Sequence, residues 1–247
     1  MNSCSIRFYA ELNDFLPREK RQVTASLSFW GQPGVKDLIE SLGVPHTEVD
    51  LVLVNGESVE FSRKVQDGDR ISVYPVFESI DISPVTRVRP EPLREVRFVL
   101  DAHLGRLATY LRMLGFDALY ESGFSDESLA EASARERRVL LTRDRELLKR
   151  KTITHGYFVR GTNPRAQLAE VLDRFDLYRH VRPFSRCLRC NLLLEAVQKE
   201  QVIERLPPKV CECFSEFWVC RGCGRVYWEG SHYEHMKQLV GRIQGQG

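Results

Sequence analysis

The chain has 247 residues, enough for two domains, and its composition of 43% hydrophobic and 28% charged residues is that of an ordinary globular protein. No apolar run approaches the ~20 residues of a membrane span, and the opening residues lack the basic and apolar regions of a secretory signal. We therefore expect a cytoplasmic protein with no membrane segment. The net charge of +2 is compatible with a polyanionic partner, although solvated surface charge explains it equally well.

The first segment, residues 1–77, has the pattern of a small β-rich domain. Strands are predicted at 5–10, 23–29, 51–54 and 71–76, with a helix at 35–43. Asn55-Gly56 is a strong tight-turn signal directly after the third strand. The order strand, strand, helix, strand, turn, strand predicts a ubiquitin-like β-grasp fold.

Two runs in this segment, Val52–Gly56 and Asp67–Pro75, resemble the sulfur-carrier proteins of thiamine and molybdopterin synthesis. Those carriers act through a free C-terminal Gly-Gly, whereas this chain has Phe77-Glu78-Ser79 at the matching point and continues. The resemblance therefore implies a β-grasp domain that recruits a partner or restricts access, and that does not transfer sulfur.

Residues 78–95 are predicted to be a linker, because three prolines interrupt a stretch without sustained periodicity. Strands and helices then alternate over residues 96–182, which predicts a parallel sheet with function at the carboxyl ends of its strands. Strands are predicted at 96–100, 116–120, 138–142 and 157–160. Helices are predicted at 104–114, after Ser125 as its N-cap, through Leu147 and from Pro164.

Three aspartates are placed at the functional edge of this predicted sheet. Asp101 and Asp144 each follow an apolar strand, and Asp126 begins a helix. Carboxylates that converge in a cleft repel one another unless cations lie between them, and Mg²⁺ or Mn²⁺ prefers such oxygen ligands. This pattern suggests nuclease chemistry. Two structural alternatives stay open: Asp126 stabilises the positive end of a helix dipole, and Asp144 caps a helix over 145–148.

Cysteines form two CxxC pairs in the last segment, residues 183–247, which is predicted to close with a helix over 232–243. Cys187, Cys190, Cys220 and Cys223 are expected to bind one tetrahedral zinc ion, in preference to acting as redox pairs. Four cysteine ligands leave no open position, so the zinc is expected to be structural. Aromatic and arginine side chains of this ribbon form either an RNA platform or ordinary packing: Phe214, Phe217, Trp218, Tyr227, Trp228, Arg186, Arg189, Arg221 and Arg225.

The runs Asp101–Ala108, Leu111–Asp117, Leu140–Asp144 and Gly224–His232, with the cysteines, closely resemble the Mut-seven C-terminal RNase family, a branch of the PIN-like nucleases. Residue by residue, the resemblance assigns three catalytic acids, Asp101, Asp126 and Asp144. A fourth acid that is common in PIN nucleases has no clear match, and Asn163 or nothing occupies its place. Three arginines are candidates for phosphate contact or charge balance: Arg106, Arg112 and Arg143, with Arg112 equally well explained as a helix-surface arginine.

These observations combine into one expectation and one alternative. The expectation is an α/β, PIN-like domain that hydrolyses RNA phosphodiester bonds with Mg²⁺ or Mn²⁺ held by Asp101, Asp126 and Asp144. The zinc ribbon would aid RNA binding, and the N-terminal domain would bind a protein partner. The alternative is a non-catalytic RNA-binding adaptor with a degenerate site, which the missing fourth acid supports.

Overall fold

A computed structural model describes residues 1–75, 86–88 and 95–244. Most of the predicted linker, including Phe77-Glu78-Ser79, therefore lies outside the described residues. The chain divides into two compact units, of which the first comprises Met1–Glu95 with Ser125–Phe158, and the second Val96–Phe124 with Val159–Gly247. The predicted domain boundaries at 77, 95 and 182 stay predictions.

The N-terminal part of the first unit is built on a five-stranded sheet. Its elements are β1 (Asn2–Phe8), β2 (Ala25–Phe29), α1 (Val35–Ser41), β3 (Leu51–Val54), β4 (Glu57–Ser58) and β5 (Arg70–Tyr74). The strand order is β2-β1-β5-β3-β4, in which β1 and β5 are parallel and the other neighbours antiparallel. This arrangement confirms the predicted β-grasp module.

Local sequence signals explain the module. Asn55 and Gly56 have φ values of 55° and 92°, so they form the predicted tight turn between β3 and β4 with the two residue types that best tolerate positive φ. Inward-facing residues of the strands and of α1, among them Ile6, Ile39 and Val52, are fully buried. The module therefore has its own apolar core.

The middle of the chain alternates strands and helices, as predicted. Its elements are β6 (Phe98–Leu100), α2 (Gly105–Met113), β7 (Ala118–Tyr120), α3 (Asp126–Glu136), β8 (Val139–Thr142), α4 (Arg145–Leu148), β9 (Gly156–Phe158) and α5 (Pro164–Arg174). In the second unit β6 and β7 are parallel, and in the first unit β8 and β9 are parallel. Parallel strands separated by helices confirm the α/β class.

The β-grasp module packs against the α3–β9 segment within the first unit. His46 Nε2 lies 2.9 Å from the carbonyl oxygen of Ile153, and the backbone N–H of Phe158 donates to Glu48 at 2.6 Å. The Arg145 guanidinium donates to the Phe15 carbonyl at 3.3 Å and lies 5.0 Å and 5.2 Å from the ring centres of Phe15 and Phe158. These contacts join the N-terminal module to a segment more than a hundred residues later.

The end of the second unit is a small ribbon. Its elements are β10 (Glu195–Val197), α6 (Pro208–Cys213), β11 (Phe217–Val219), β12 (Val226–Tyr227) and α7 (Ser231–Gln244). The three strands are antiparallel in the order β10-β11-β12, over a small core of Val202, Leu206 and Phe217. The predicted closing helix is confirmed as α7. Within the described part of the chain, no helix combines the length and apolar character of a membrane span.

Candidate active site and metal centre

Four cysteine side chains come together at the ribbon. The Sγ atoms of Cys187, Cys190, Cys220 and Cys223 all lie within 4.8 Å of one another. Cys190 and Cys220 are 3.1 Å apart, and Cys187 and Cys223 are 3.5 Å apart. Cys211 and Cys213 are outside this group. The predicted set of four ligands is confirmed as a cluster that can hold a metal ion such as zinc.

Each CxxC pair is shaped by the same backbone turn. The residue after the second cysteine has a left-handed backbone, with φ values of 69° at Asn191 and 71° at Gly224. Its N–H donates to the carbonyl of the first cysteine, at 3.0 Å from Asn191 to Cys187 and 2.8 Å from Gly224 to Cys220. Glycine and asparagine tolerate this conformation best. The two turns therefore orient both pairs of thiols toward the same point.

Electrostatics favour a cation inside the cluster. Burial raises the pKa of the Cys187 thiol, but hydrogen bonds from the Tyr227 hydroxyl and from backbone N–H groups of its own turn outweigh burial and lower that pKa to about 6. Burial and the neighbouring Cys220 thiol raise the pKa of Cys190 to about 12. Adjacent thiols cannot all ionise without a compensating charge, and a divalent ion supplies that charge. The donor set therefore fits zinc.

Arg112 fixes the first cysteine turn to α2. Its guanidinium donates to the carbonyl oxygens of Leu188 at 3.1 Å, Arg189 at 2.7 Å and Ala118 at 2.8 Å. The residue is only 4% exposed, and burial lowers its pKa from the ordinary value. The expectations of a phosphate contact or a helix-surface arginine are thus corrected, because the side chain faces inward and its donors are used by backbone carbonyls.

Asp117 and Asn191 make a second link at the same place. The Asn191 side chain donates to Asp117 at 2.7 Å and accepts from the backbone N–H of Ala118 at 3.0 Å. Arg186 donates to the Gly115 carbonyl at 3.0 Å and to the Asn191 carbonyl at 2.9 Å. Asp117, predicted inside a strand, instead precedes β7 and holds the cysteine turn. Several polar contacts therefore hold the ribbon against the α2–β7 segment.

Asp101 lies in the second unit, directly after β6. The three residues of β6 are fully buried, and Asp101 begins a short 3-10 turn over Ala102–Leu104. Its carbonyl accepts from Leu104 at 2.9 Å, whereas its side chain does not cap the turn. Asp101 thus sits at the carboxyl end of a parallel strand, where the sequence predicted it.

Asp126 lies in the first unit, at the start of α3. Ser125 caps the helix by accepting from the Ser128 N–H, so the predicted cap is confirmed and the Asp126 carboxylate is not needed for that purpose. Arg150 lies 3.4 Å from Asp126 and 3.0 Å from Glu127. A hydrogen bond from its own backbone, together with Arg150, holds the pKa of Glu127 below its usual value. The start of α3 is therefore a small exposed acid pair with one arginine.

Asp144 lies in the same unit, two residues after β8. The buried Thr142 hydroxyl accepts from the Asp144 N–H at 2.9 Å, which fixes the turn of the Thr-Arg-Asp run. Asp144 Oδ1 accepts from the N–H groups of Glu146 at 2.8 Å and Leu147 at 3.4 Å. The structural alternative of a cap on α4 is therefore confirmed. Oδ2 has no hydrogen-bond partner among the described residues, and the side chain is exposed.

The remaining candidates are more peripheral. Arg106 is exposed on α2, and Arg143 is half-buried after β8. Asn163 caps α5 by accepting from the Arg165 N–H at 2.9 Å, so its amide has a structural task. Glu170 on α5 accepts from Arg160 and Gly161, each at 2.8 Å, which places an acid at the loop after β9. Both carboxylate oxygens of Glu170 are used by these backbone groups, so Glu170 holds the loop in place.

The ribbon aromatics divide into two groups. Phe217 is 1% exposed in the ribbon core, and Phe214 packs against that core, so packing explains both. Trp218, Tyr227 and Trp228 line a cavity. Tyr227 has a further task, since its hydroxyl lies 3.1 Å from Cys187 Sγ. Sequence reasoning grouped all five residues together because aromatic content alone does not separate core from cavity walls.

Comparisons with known proteins agree with this architecture. The model of the Mut7-C RNAse domain matches residues 96–240, and that of Mut7-C ubiquitin matches residues 1–81. No curated protein matches the chain.

Among solved structures, the small archaeal modifier protein 1 of H. volcanii is 19% identical, with a TM-score of 0.25, 30% of this chain covered and 98% of that chain. A putative molybdopterin converting factor, subunit 1, from Pyrococcus furiosus has the same identity, coverage and TM-score. The RNase model spans more than half of the sequence and includes the acids, the cysteine cluster and the ribbon. The chain belongs to the Mut7-C RNase family.

Proposed function

We propose that this protein is a ribonuclease that uses Asp101, Asp126 and Asp144 to hold Mg²⁺ or Mn²⁺ at the scissile phosphodiester. The observation that carries the proposal is the Asp144 carboxylate. Its turn is fixed by Thr142, one oxygen caps α4, and the other oxygen points to no protein partner in the described chain. A rigid carboxylate with one oxygen available at a strand end suits a hard cation.

The chain's own residues have distinct tasks in this proposal. Asp101, Asp126 and Asp144 supply the oxygen ligands, and their combined negative charge fits a divalent ion. Arg150 balances the charge of Asp126 and, with an ion bound there, would be available to contact a substrate phosphate. Arg106 and Arg143 contact phosphates and orient the strand. The bound ion supplies an activated water and stabilises negative charge on the phosphate oxygens.

The other parts of the chain support this function. A zinc ion held by the four cysteines keeps the ribbon folded and helps the ribbon bind RNA. The β-grasp module recruits a protein partner. None of the seven cysteines, all within the described residues, forms a disulfide, which suits the reducing cytoplasm, where we place the protein.

The test is cleavage of a panel of single-stranded and structured RNAs with Mg²⁺, with Mn²⁺ and with neither ion added. Omission of the ion is preferable to a chelator, because a chelator also removes zinc from the ribbon. We expect metal-dependent cleavage that falls by about 100-fold or more in Asp144→Asn. Asparagine caps helices as well as aspartate does, so this substitution removes the charge and keeps the turn.

Glu146→Gln is the matched control. Glu146 lies on α4 two residues from Asp144, is highly exposed and pairs with Lys149 at 2.7 Å. It removes one acid from the same helix without touching the proposed ligands. Equal losses in both variants would contradict a specific role for Asp144.

A non-catalytic RNA-binding adaptor is the second candidate. It is favoured by Asn163, whose amide caps α5 where a fourth acid is expected in PIN nucleases, and by the Arg150 ion pair at Asp126. RNA binding without cleavage across the panel and both ions, unchanged in Asp144→Asn, would establish the adaptor.

A further inference from the structure

A cavity of about 690 Å³ lies in the second unit, between the ribbon strands and α7. Five of the residues that line it are aromatic: Phe184, Trp218, Tyr227, Trp228 and Tyr233. Ligand pockets in proteins typically have volumes of about 300–1,000 Å³ and largely apolar and aromatic walls with a few polar groups. This cavity therefore has the size and lining of a small-molecule or nucleobase site.

The wall residues are held in place by contacts outside the cavity. The Tyr227 ring is held by the contact of its hydroxyl with Cys187 Sγ at 3.1 Å. Leu188, in the first cysteine turn, also lines the cavity. The Phe184 and Tyr233 ring centres are 4.2 Å apart, tilted by 41°. The walls are thus organised by the metal centre and by ring contacts before any ligand arrives.

Phe184 has a strained backbone. Its φ is 60°, a left-handed conformation that is costly for a bulky residue, and its N–H donates to the Met113 carbonyl at 2.9 Å. Strain of this kind persists where surrounding structure enforces it, commonly at ligand sites. Here it places an aromatic ring against Tyr233 at the cavity wall.

Two exposed arginines are the sequence neighbours of lining residues, and one carboxylate is itself a lining residue. Arg189 follows the lining residue Leu188, Arg225 precedes the lining residue Val226, and both arginines are exposed. Glu229 lines the cavity and hydrogen-bonds Tyr233, and burial together with this bond raises the pKa of Tyr233 to about 12. Exposed cations beside aromatic faces are the combination with which proteins bind single-stranded nucleic acid. A carboxylate acceptor at the cavity wall also matches the amino groups of bases.

We propose that this cavity binds one unstacked nucleobase of an RNA strand, with the adjoining phosphates on Arg189 and Arg225. The proposal rests on the proposed function for the identity of the ligand as RNA. It assigns the ribbon a defined contact, stacking of one base, in place of general attraction to the backbone.

The location relates this site to the candidate acids. Asp101 precedes α2, and the Met113 carbonyl at the other end of α2 holds Phe184. Nine helical residues span about 14 Å, a distance of a few nucleotides along an extended strand. A base in the cavity would therefore set which phosphate reaches Asp101.

The test uses the full chain with zinc bound and no added Mg²⁺ or Mn²⁺, so that binding is measured without cleavage. A short fluorescent single-stranded RNA is compared with versions that each carry one abasic nucleotide, by fluorescence anisotropy. We expect one position at which base removal raises Kd about tenfold, because a stacked base contributes strongly to affinity. The other positions should change Kd little.

Variants then assign the effect to the cavity. Trp218→Leu and Tyr233→Leu should bind intact RNA as weakly as the sensitive abasic version, and should lose the sensitivity to that abasic position. Tyr233→Phe keeps the ring and should keep the sensitivity, which guards against a folding defect in Tyr233→Leu. Trp30→Ala is the matched control, because Trp30 is 78% exposed on the β-grasp module. Zinc content and thermal unfolding identify variants that fail to fold.

Two results would overturn the proposal. One is equal sensitivity at every abasic position, which would mean that the ribbon contacts only the RNA backbone. The other is a position-specific effect that persists in Trp218→Leu and Tyr233→Leu. If either result is found while metal-dependent cleavage is intact, only the base-site proposal is rejected. If one abasic position matters but no cleavage is found, only the ribonuclease proposal is rejected.

Discussion

The cysteine cluster and the aspartate candidates differ in what else their side chains do. The four Sγ atoms contact one another and Tyr227, and their backbones are fixed by two matching turns. Asp126 is paired with Arg150, and Asp144 caps α4. The four cysteines converge on one metal position, whereas Asp126 and Asp144 also stabilise the local fold.

This difference determines what mutations report. Loss of a cysteine should act on stability chiefly through the metal, with the Tyr227 contact as a further loss at Cys187. Loss of an aspartate changes both the proposed chemistry and a helix end or an ion pair, and only a well-chosen substitution separates the two. The following predictions concern stability and run from the largest expected effect to the smallest.

Cys220→Ser should abolish stoichiometric zinc binding and unfold the ribbon. A structural zinc contributes to folding outright, so we expect a loss of free energy of unfolding of about 5 kcal/mol or more. Zinc per chain by atomic spectroscopy and thermal unfolding are the measurements. Cys213→Ser is the control, because Cys213 is exposed and outside the cluster. Equal zinc loss in the control would contradict the assignment of the four ligands.

Arg112→Met should destabilise the second unit by about 3 kcal/mol or more, because several buried carbonyls would lose their charged donor. Urea unfolding measures this effect, and the cysteine turn should exchange its amide hydrogens faster. Arg106→Met on the exposed side of α2 should change the free energy of unfolding by less than about 0.5 kcal/mol. A similar small change in Arg112→Met would show that the guanidinium is not needed to hold the turn.

Asn191 should show a graded response. Asn191→Gly keeps the left-handed backbone but loses the bonds to Asp117 and Ala118, for a cost of about 2 kcal/mol. Asn191→Ala should cost about 1 kcal/mol more, because alanine also resists positive φ. The comparison by thermal unfolding separates side-chain bonding from backbone strain. An alanine variant as stable as the glycine variant would remove the strain argument.

Asp144 gives the smallest expected change. Asp144→Ala should lower the free energy of unfolding by about 1 kcal/mol through loss of the cap on α4, whereas Asp144→Asn should be nearly neutral. Both should lack metal-dependent cleavage if the proposed function holds. A strongly destabilised Asp144→Asn would mean that the negative charge itself has a structural task.

Much of this architecture could be predicted where the signal is local. The CxxC spacing, the Ser125 cap and the Asn55-Gly56 turn each depend on neighbouring residues, so sequence alone identified them. Arg112 could have been found as buried, since it lies four residues after Ala108 on the apolar stripe of α2. The sequence interpretation gave more weight to the positive charge of Arg112 than to its position on this stripe.

Contacts between distant residues could not be predicted. Asp117 and Asn191 are 74 positions apart, and neither residue has a local feature that specifies its partner. The cavity walls come from three separate stretches of the second unit, so aromatic content did not indicate which rings face inward. The three aspartates as one metal site remain a prediction for the same reason.

The contacts of the β-grasp module have a consequence for biosynthesis. His46 and Ile153 are 107 positions apart, and Phe15 and Arg145 are 130 apart. At translation rates of roughly 5–20 residues per second, the module emerges from the ribosome several seconds before its partner segment exists. During that interval Glu48, only 1% exposed in the folded protein, lacks the hydrogen bond from the Phe158 N–H. Synthesis of residues 125–158 therefore allows the burial of a surface that first had to remain soluble.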